Sequence, residues 1–212
     1  MIFNDHSKLI GQHAFLGASK YSWLNYNEET LVLRYLQQNA ATIGTVLHSL
    51  AHDCITNKIK LSKSADKHLI MLTLAKEGLL NSAIDIDNIL NTLVPFVNDS
   101  IGFRMSSEQV LYYSDNCFGT TDAIAFNYNI LRINDYKSGT IPAHIEQLMI
   151  YAALFCLEYK IKPESIERTE LRIYQSSEVL LHTPTPEDIS FVMDRITEAD
   201  KIVESINTKG VH

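Results

Sequence analysis

Asp135 and Lys137 stand two positions apart in INDYKSG (133–139), a run whose other members read as a β-strand. A second acid, Asp122, closes the short run GTTD at 119–122. Two carboxylates beside an ammonium group can hold a divalent cation against an anionic substrate, the lysine offsetting charge that develops during reaction. Two more pairs place polar side chains at helical spacing: Gly44 and His48 in GTVLH (44–48), and Gln147 and Tyr151 in QLMIY (147–151). Taken alone, a D-x-K on an exposed strand is usually just a solvated ion pair. Whether these residues meet depends on the elements that carry them.

Residues 28–57 keep an apolar row at Ile43, Leu47, Leu50 and Cys54, spacing that predicts a helix. Residues 66–81 and 85–98 also read as helices, the second ending near Pro95 to Asn98. The period then changes. Segments 107–114, 117–126 and 130–137 are rich in β-formers and are separated by Ser114-Asp115-Asn116 and Asn127-Tyr128-Asn129, the pattern of an antiparallel meander. A helix returns over 143–160, with Ile145, Leu148, Ala152, Phe155 and Tyr159 along one side, and 167–175 and 178–182 read as strands. The last helix starts at a Thr185 cap followed by Pro186, Glu187 and Asp188, and runs to about Ser205. This order predicts an α/β core with a mixed sheet.

With Tyr128 and Asn129 as a two-residue loop, Asn127 faces Ile130 and Asp122 falls opposite Asp135. Ile124 then stacks on Ile133 and Phe126 on Leu131, while Thr121, Ala123, Arg132 and Asn134 take the other side. Two carboxylates at the end of a buried face cost several kcal/mol unless something positive compensates, which a divalent cation would do. Lys137 lies one pleat beyond Asp135 on the same face.

At 212 residues and 46% hydrophobic, the chain suits one sizeable domain. No signal-like run opens it and no stretch nears the roughly 20 apolar residues of a membrane helix, so a soluble, cytoplasmic protein without a membrane partner is expected. Cys54, Cys117 and Cys156 lack C-x-x-C spacing and read as buried thiols rather than a disulfide or zinc set. A net charge of −7 excludes whole-surface attraction to a polyanion. A local basic stretch, Lys58, Lys60, Lys63 and Lys67, with Arg104, either tracks a phosphate backbone or is a solvated loop face. Tyr21, Trp23 and Tyr26 either stack on bases or, the favoured reading, join a core. His52 reads as half-buried and His144 as an exposed loop residue.

The ordered series G-x-x-x-H, G-x-x-D, D-x-K and Q-x-x-x-Y, spanning residues 44–151, resembles the RecB-like branch of the PD-(D/E)XK nuclease superfamily, which includes RecB-type nuclease domains and phage-type exonucleases. The resemblance implies a restriction-endonuclease-like core, αβββαβ, with a mixed central sheet flanked by helices. It implies one nuclease domain over 1–212: a mainly helical part, 1–104, with the G-x-x-x-H helix; a sheet core, 105–182, with the Q-x-x-x-Y helix; and a C-terminal helix, 185–207. It makes Asp122 and Asp135 metal-binding carboxylates, the backbone carbonyl of Tyr136 a further ligand and Lys137 the catalytic lysine. His48 becomes an extra ligand or phosphate-side residue, Gln147 and Tyr151 orient the lysine, the metal site or the bound strand, and Glu108 is an acid near the metal, with His52 as a stand-in.

The implied activity is that of a Mg²⁺- or Mn²⁺-dependent deoxyribonuclease, an exonuclease leaving 5′-phosphates, in DNA recombination, repair or phage DNA metabolism. The alternatives are a structure-specific endonuclease of the same superfamily and a non-catalytic DNA-binding or assembly protein on the same fold. The implied partners are a DNA duplex end or single strand, held in part by Lys58 and Lys60, and a second copy or a single-strand annealing partner. Some relatives hold an iron-sulfur cluster with four cysteines; that arrangement is missing here and no cluster is expected. No G-x-x-x-x-G-K-[ST] loop occurs, which implies a stand-alone nuclease module rather than a motor.

Overall fold

The computed structural model describes residues 8, 14–80, 84–139 and 141–209. The chain divides into two compact units, Met1–Thr42 and Ile43–His212. The first carries a 3-10 segment, Ala18–Asn25, and the first half of helix α1 (Glu28–Thr56). Its aromatic cluster is not a core, contrary to the favoured expectation. Tyr21 is exposed, Trp23 and Tyr26 are half-buried, and no residue of Ala18–Asn25 is buried. The Trp23 indole N–H donates to the Gly17 carbonyl at 3.1 Å, so a local turn fixes the ring. A unit of this size cannot enclose so many large side chains.

The second unit contains the rest of α1, helices α2 (Lys67–Lys76) and α3 (Ile86–Gly102), strands β1 (Ser106–Ser114), β2 (Cys117–Asn127) and β3 (Ile130–Lys137), helix α4 (Glu146–Tyr159), strands β4 (Arg168–Gln175) and β5 (Glu178–His182), and helix α5 (Pro186–Lys209). α2 stops well short of the expected residue 81. Gly78, at φ +67°, turns the chain left-handed, and the Leu79 N–H reaches back to the Leu74 carbonyl at 2.9 Å. α3 begins where the Asp85 carboxylate accepts from the Asn88 N–H at 2.9 Å, and it runs through Pro95 to Gly102 instead of ending there. Proline removes one helical N–H, and burial of Phe96, Val97 and Ser100 beyond it outweighs that loss.

The sheet order is β1-β2-β3-β4-β5, with β3 and β4 parallel and the other neighbours antiparallel. α4 supplies the crossover that a parallel pair requires. The architecture is thus a mixed α/β unit with a five-stranded mixed sheet between helices. β2 and β3 pair in the expected register, from Asn127 opposite Ile130 to Ala123 opposite Asn134. Tyr128 and Asn129 turn the hairpin at φ +53° and +59°, the left-handed pair of a type I′ turn.

Two apolar clusters cover the sheet. Ala123, Ala125, Tyr136 and Tyr174 pack with Leu47, Phe96 and other residues of α1 to α3. Ile124, Leu131, Ile133 and Leu171 pack with Leu148, Ala152 and Phe155 of α4 and with Ile189 and Ile196 of α5. Of the expected row, Leu148, Ala152 and Phe155 are buried and Ile145, at the helix start, is half-buried, whereas Tyr159 is 51% exposed. α5 opens with a reciprocal cap: the Asp188 N–H donates to Thr185 Oγ1 at 3.2 Å and the Thr185 N–H to the Asp188 carboxylate at 2.9 Å. Cys54 and Cys156 are buried free thiols, while Cys117 is only half-buried. Among the described residues, no helix is long and apolar enough to cross a membrane.

Candidate metal and phosphodiester site

The β2–β3 ladder stops one pair short of the two acids. Asp122 and Asp135 are opposite in register, but they are not joined by the ladder, which ends at Ala123 and Asn134. The Asp122 carboxylate instead accepts the Tyr136 N–H at 2.7 Å and sits 3.4 Å from His48 Nδ1. Asp135 turns to Lys137, whose Nζ lies 3.1 Å from Oδ1 and 3.0 Å from Oδ2. Each carboxylate thus has its own partners. Both are held where their strands part.

Helix packing delivers His48. Leu47, Ala51 and Cys54 of α1 are buried in the core, which fixes the helix and leaves the imidazole beside Asp122 and edge-on to the Tyr136 ring, centroids 5.3 Å apart. Gly44, one turn earlier, makes room for this approach, because a Cβ there would meet Ser138 Oγ at 3.0 Å. That contact gives the glycine of G-x-x-x-H a steric reason.

β1 brings the third acid. Ser107 pairs with Ala123 and Gln109 with Thr121, so Glu108 stands opposite Asp122 in register. Its φ is +54°, a left-handed conformation inside a strand. The face alternation breaks in this stretch. Gly119 abuts Tyr151 of α4 and Ile124 also packs toward α4, although they stand five positions apart and regular alternation would put them on opposite faces. The expected alternation holds from Ala123 to Ala125, with Ala123 and Ala125 packed toward α1 to α3 and Ile124 toward α4, and it is broken between Gly119 and Ala123. The result brings ligand atoms of His48, Glu108 and Asp122 within 4.8 Å of one another. Glu108, the least supported ligand on sequence grounds, belongs to that trio, and Asp135 does not.

α4 supplies the remaining contacts. Lys137 donates to Gln147 Oε1 at 3.1 Å, and Gln147 Nε2 donates to the Tyr151 hydroxyl at 3.2 Å. The four-residue spacing of Q-x-x-x-Y puts both side chains on one helical face, and the amide is oriented with its oxygen toward the ammonium. A Cβ on Gly119 would come within 2.9 Å of Tyr151 Cε1, which accounts for the glycine of G-x-x-D.

Burial and charge act together on the ionisable groups. Asp135 is 2% exposed, and its carboxyl is pushed up to about 6 by burial and by the Asp122 charge, against the opposing pull of Lys137 and His48. Burial alone would lower the His48 pKa. The hydrogen bond and charge of Asp122, with the charges of Asp135 and Glu108, outweigh it and hold the imidazole above its ordinary value. Burial raises the Tyr151 phenol, opposed by its bond to Gln147. Asp135 Oδ2, though 3.0 Å from Lys137, accepts no directional hydrogen bond, and the fully buried Tyr136 hydroxyl has no protein partner.

Gln175, at the end of β4, is a residue that sequence reasoning missed. Its Nε2 donates to the carbonyls of Gly139 and Ile141 at 2.7 Å, and its Oε1 accepts the Ala143 N–H at 3.0 Å. It stands beside Lys137 in the β3–β4 ladder. It thereby pins the loop that joins Lys137 to the helix of Gln147. Nothing in its spacing announces this; only the fold brings position 175 to that loop.

Other candidates take lesser places. His52 Nδ1 lies 3.2 Å from Ser107 Oγ, which donates to the Asp122 carbonyl at 3.1 Å, so His52 buttresses β1 and β2 rather than joining the ligand trio. His144 is exposed, its Nδ1 4.0 Å from a Glu146 oxygen. Lys58 and Lys60 are exposed at the end of α1, and the Lys67 ammonium is bonded to Asp87 at 2.6 Å.

The family described as "Protein of unknown function (DUF2800)" matches residues 13–178, well over half the chain. The chain belongs to the DUF2800 family. The matched span includes every residue of the site, from His48 to Gln175, and ends before α5. No curated protein and no solved structure matches the chain.

Proposed function

We propose that this DUF2800 protein is a metal-dependent deoxyribonuclease, an exonuclease that hydrolyses phosphodiester bonds to leave 5′-phosphates, built on a restriction-endonuclease-like core. The observation that carries the reading is the convergence of His48, Glu108 and Asp122 within 4.8 Å, beside an Asp135–Lys137–Gln147–Tyr151 chain of contacts. Two carboxylates and an imidazole form a donor set that suits Mg²⁺ or Mn²⁺, the nitrogen favouring Mn²⁺. Asp135 Oδ2, buried beside Lys137 but accepting no directional hydrogen bond, adds an oxygen with coordination capacity to spare. The residues fit such an ion: His48, Glu108 and Asp122 would hold it, with Asp135 and the Tyr136 carbonyl as further ligands. A divalent cation there supplies Lewis-acid polarisation of a phosphodiester and offsets its developing charge.

The chain's own residues supply the rest. Lys137, with 31% of its side chain exposed, presents an ammonium to an incoming phosphate while Asp135 and Gln147 fix its direction. Tyr151 holds the Gln147 amide in the orientation that accepts from Lys137. His48, linked to Asp122, keeps a proton or a donor nitrogen at the same spot.

The test is a gel of end-labelled linear duplex, single strand and covalently closed circle with Mg²⁺ or Mn²⁺. Exonuclease action shortens the linear substrates, spares the circle and is lost in Lys137→Ala. A nicked or linearised circle would replace this reading with an endonuclease, and no cleavage of any DNA would overturn it.

A further inference from the structure

α4 presents a second face, carrying Glu146, Met149 and Ile150, toward α5 and away from the Gln147–Lys137 contact. Between it and α5 lies an open groove of about 730 Å³. Its floor is apolar: Met149 and Ile150 from α4, and Phe191, Val192, Ile196 and Val203 from α5. Phe191 is 66% exposed, Ile150 42% and Val203 39%, a contiguous apolar lining left open to water. From Phe191 to Val203 the trough runs about 18 Å, a little over three helical turns.

Carboxylates flank this floor. Asp188 stands one turn before Phe191, Asp200 one turn before Val203, and Glu146 lies on the facing helix. Asp200 is only 8% exposed and is fixed by Ser114 Oγ at 2.6 Å and Asn116 Nδ2 at 3.1 Å, neither of which neutralises it. Two basic residues also line the groove: Arg195, already bound to Glu198 at 2.6 Å, and His182, which stands near Asp188, so with Glu198 four carboxylates face one arginine and one histidine. The groove is therefore apolar along its length and anionic at its margins. Such a surface repels phosphate, which excludes nucleic acid and an anionic membrane surface as its occupant.

We propose that the groove between α4 and α5 docks an amphipathic helix of a partner protein, one with an apolar stripe about three turns long bordered by lysine or arginine. A helix laid between two helices seats its ridges in their grooves, and basic flanks meet the three carboxylates. The proposal does not depend on the nuclease reading, and its test involves no DNA, so each can fail without the other.

The test is calorimetric titration of the full chain with a synthetic Leu/Lys peptide of about 18 residues, patterned as an amphipathic helix, and with a Leu/Glu peptide of the same pattern. One-to-one binding of the Leu/Lys peptide is expected. Phe191→Ser with Val203→Ser, and separately Ile150→Ser, should each weaken it at least about tenfold, whereas Leu72→Ser on α2 leaves it unchanged. The Leu/Glu peptide should not bind. All of these side chains are at least partly exposed, so the variants keep the parent fold, checked by their melting curves. The proposal is overturned by an absence of one-to-one binding to the parent, or by an affinity that survives the groove substitutions, which would mark general attraction to an acidic chain. It is equally overturned if the parent sediments as a dimer that Phe191→Ser with Val203→Ser dissociates, since a second copy would then occupy the groove.

Discussion

Gly119 of β2 and Tyr151 of α4 meet so closely that a methyl group on the glycine would come within 2.9 Å of the tyrosine ring. The ring has to shift to admit the methyl group, so Gly119→Ala should fold at a cost of about 1–3 kcal/mol. The displaced hydroxyl would lose Gln147, and Gln147 its hold on Lys137. Cleavage should fall far more than the melting temperature. Placed on Tyr151→Ala, the same substitution should add nothing further; an additive loss in that double variant would rule out Tyr151 as the intermediary.

Removing the ammonium beside Asp135 leaves a carboxylate that is 2% exposed without its cation. Lys137→Ala should abolish cleavage and cost about 1–3 kcal/mol in urea unfolding. Adding Asp135→Asn should restore part of that stability while leaving the protein inactive. If the double variant is less stable than Lys137→Ala alone, the buried charge is not what the lysine compensates.

The putting-together of His48, Glu108 and Asp122 exists only in the folded chain, so an ion bound there must stabilise it. Mn²⁺ at about 100 times its dissociation constant should add roughly 2.7 kcal/mol to unfolding, read as a higher melting temperature. Glu108→Gln and His48→Ala should each blunt that rise. A parent whose melting temperature ignores Mn²⁺ has no such site.

Glu170 takes Arg132, Arg168 and Arg172 at 2.9, 2.7 and 2.6 Å, and two of those guanidiniums lie over the Phe103 ring at 4.8 and 4.7 Å. Burial pushes the Glu170 carboxyl up, but Arg172 and Arg132 outweigh it and hold the pKa below its ordinary 4.5. A lowered folded-state value means stability that is complete above 4.5 and lost as acid takes the pH down through the folded value. Glu170→Gln should cost about 3 kcal/mol at pH 7, leaving half-buried arginines unpaired, and should flatten the acid limb of a stability profile below pH 4.5. An unchanged acid limb would remove Glu170 from its cause.

Gln175→Ala should free the 139–143 loop. Faster amide exchange at Ala143 and reduced cleavage are expected, with a melting temperature close to the parent's, because the lost bonds lie near the surface. Unaltered exchange at Ala143 would show the loop is fixed by other means.

Strand limits and the β2–β3 register were legible because a two-residue left-handed turn at Tyr128 and Asn129 dictates both, and Asn129 favours that conformation. The Q-x-x-x-Y pair was legible for the same local reason, helical spacing. What local pattern could not reveal was set by distant packing. Pro95 reads as a stop, yet the buried residues after it keep α3 going. Gln175 and Glu108 owe their roles to a loop and to a backbone twist that no spacing encodes. Tyr21 and its aromatic neighbours read as core on composition, but a core needs enclosing mass, which their unit lacks.

The left-handed residue in β1 has an effect beyond ligand geometry. β1 is an outer strand of the sheet, with no further strand beyond it among the described residues, although its Tyr112 N–H donates to the Glu158 carboxylate at 2.8 Å. A regular margin of that kind is a template on which a foreign strand can zip and seed aggregates. The twist at Glu108 interrupts the even row of donors and acceptors near the start of the strand, so the kink that brings a carboxylate to His48 and Asp122 also blunts the border against accretion.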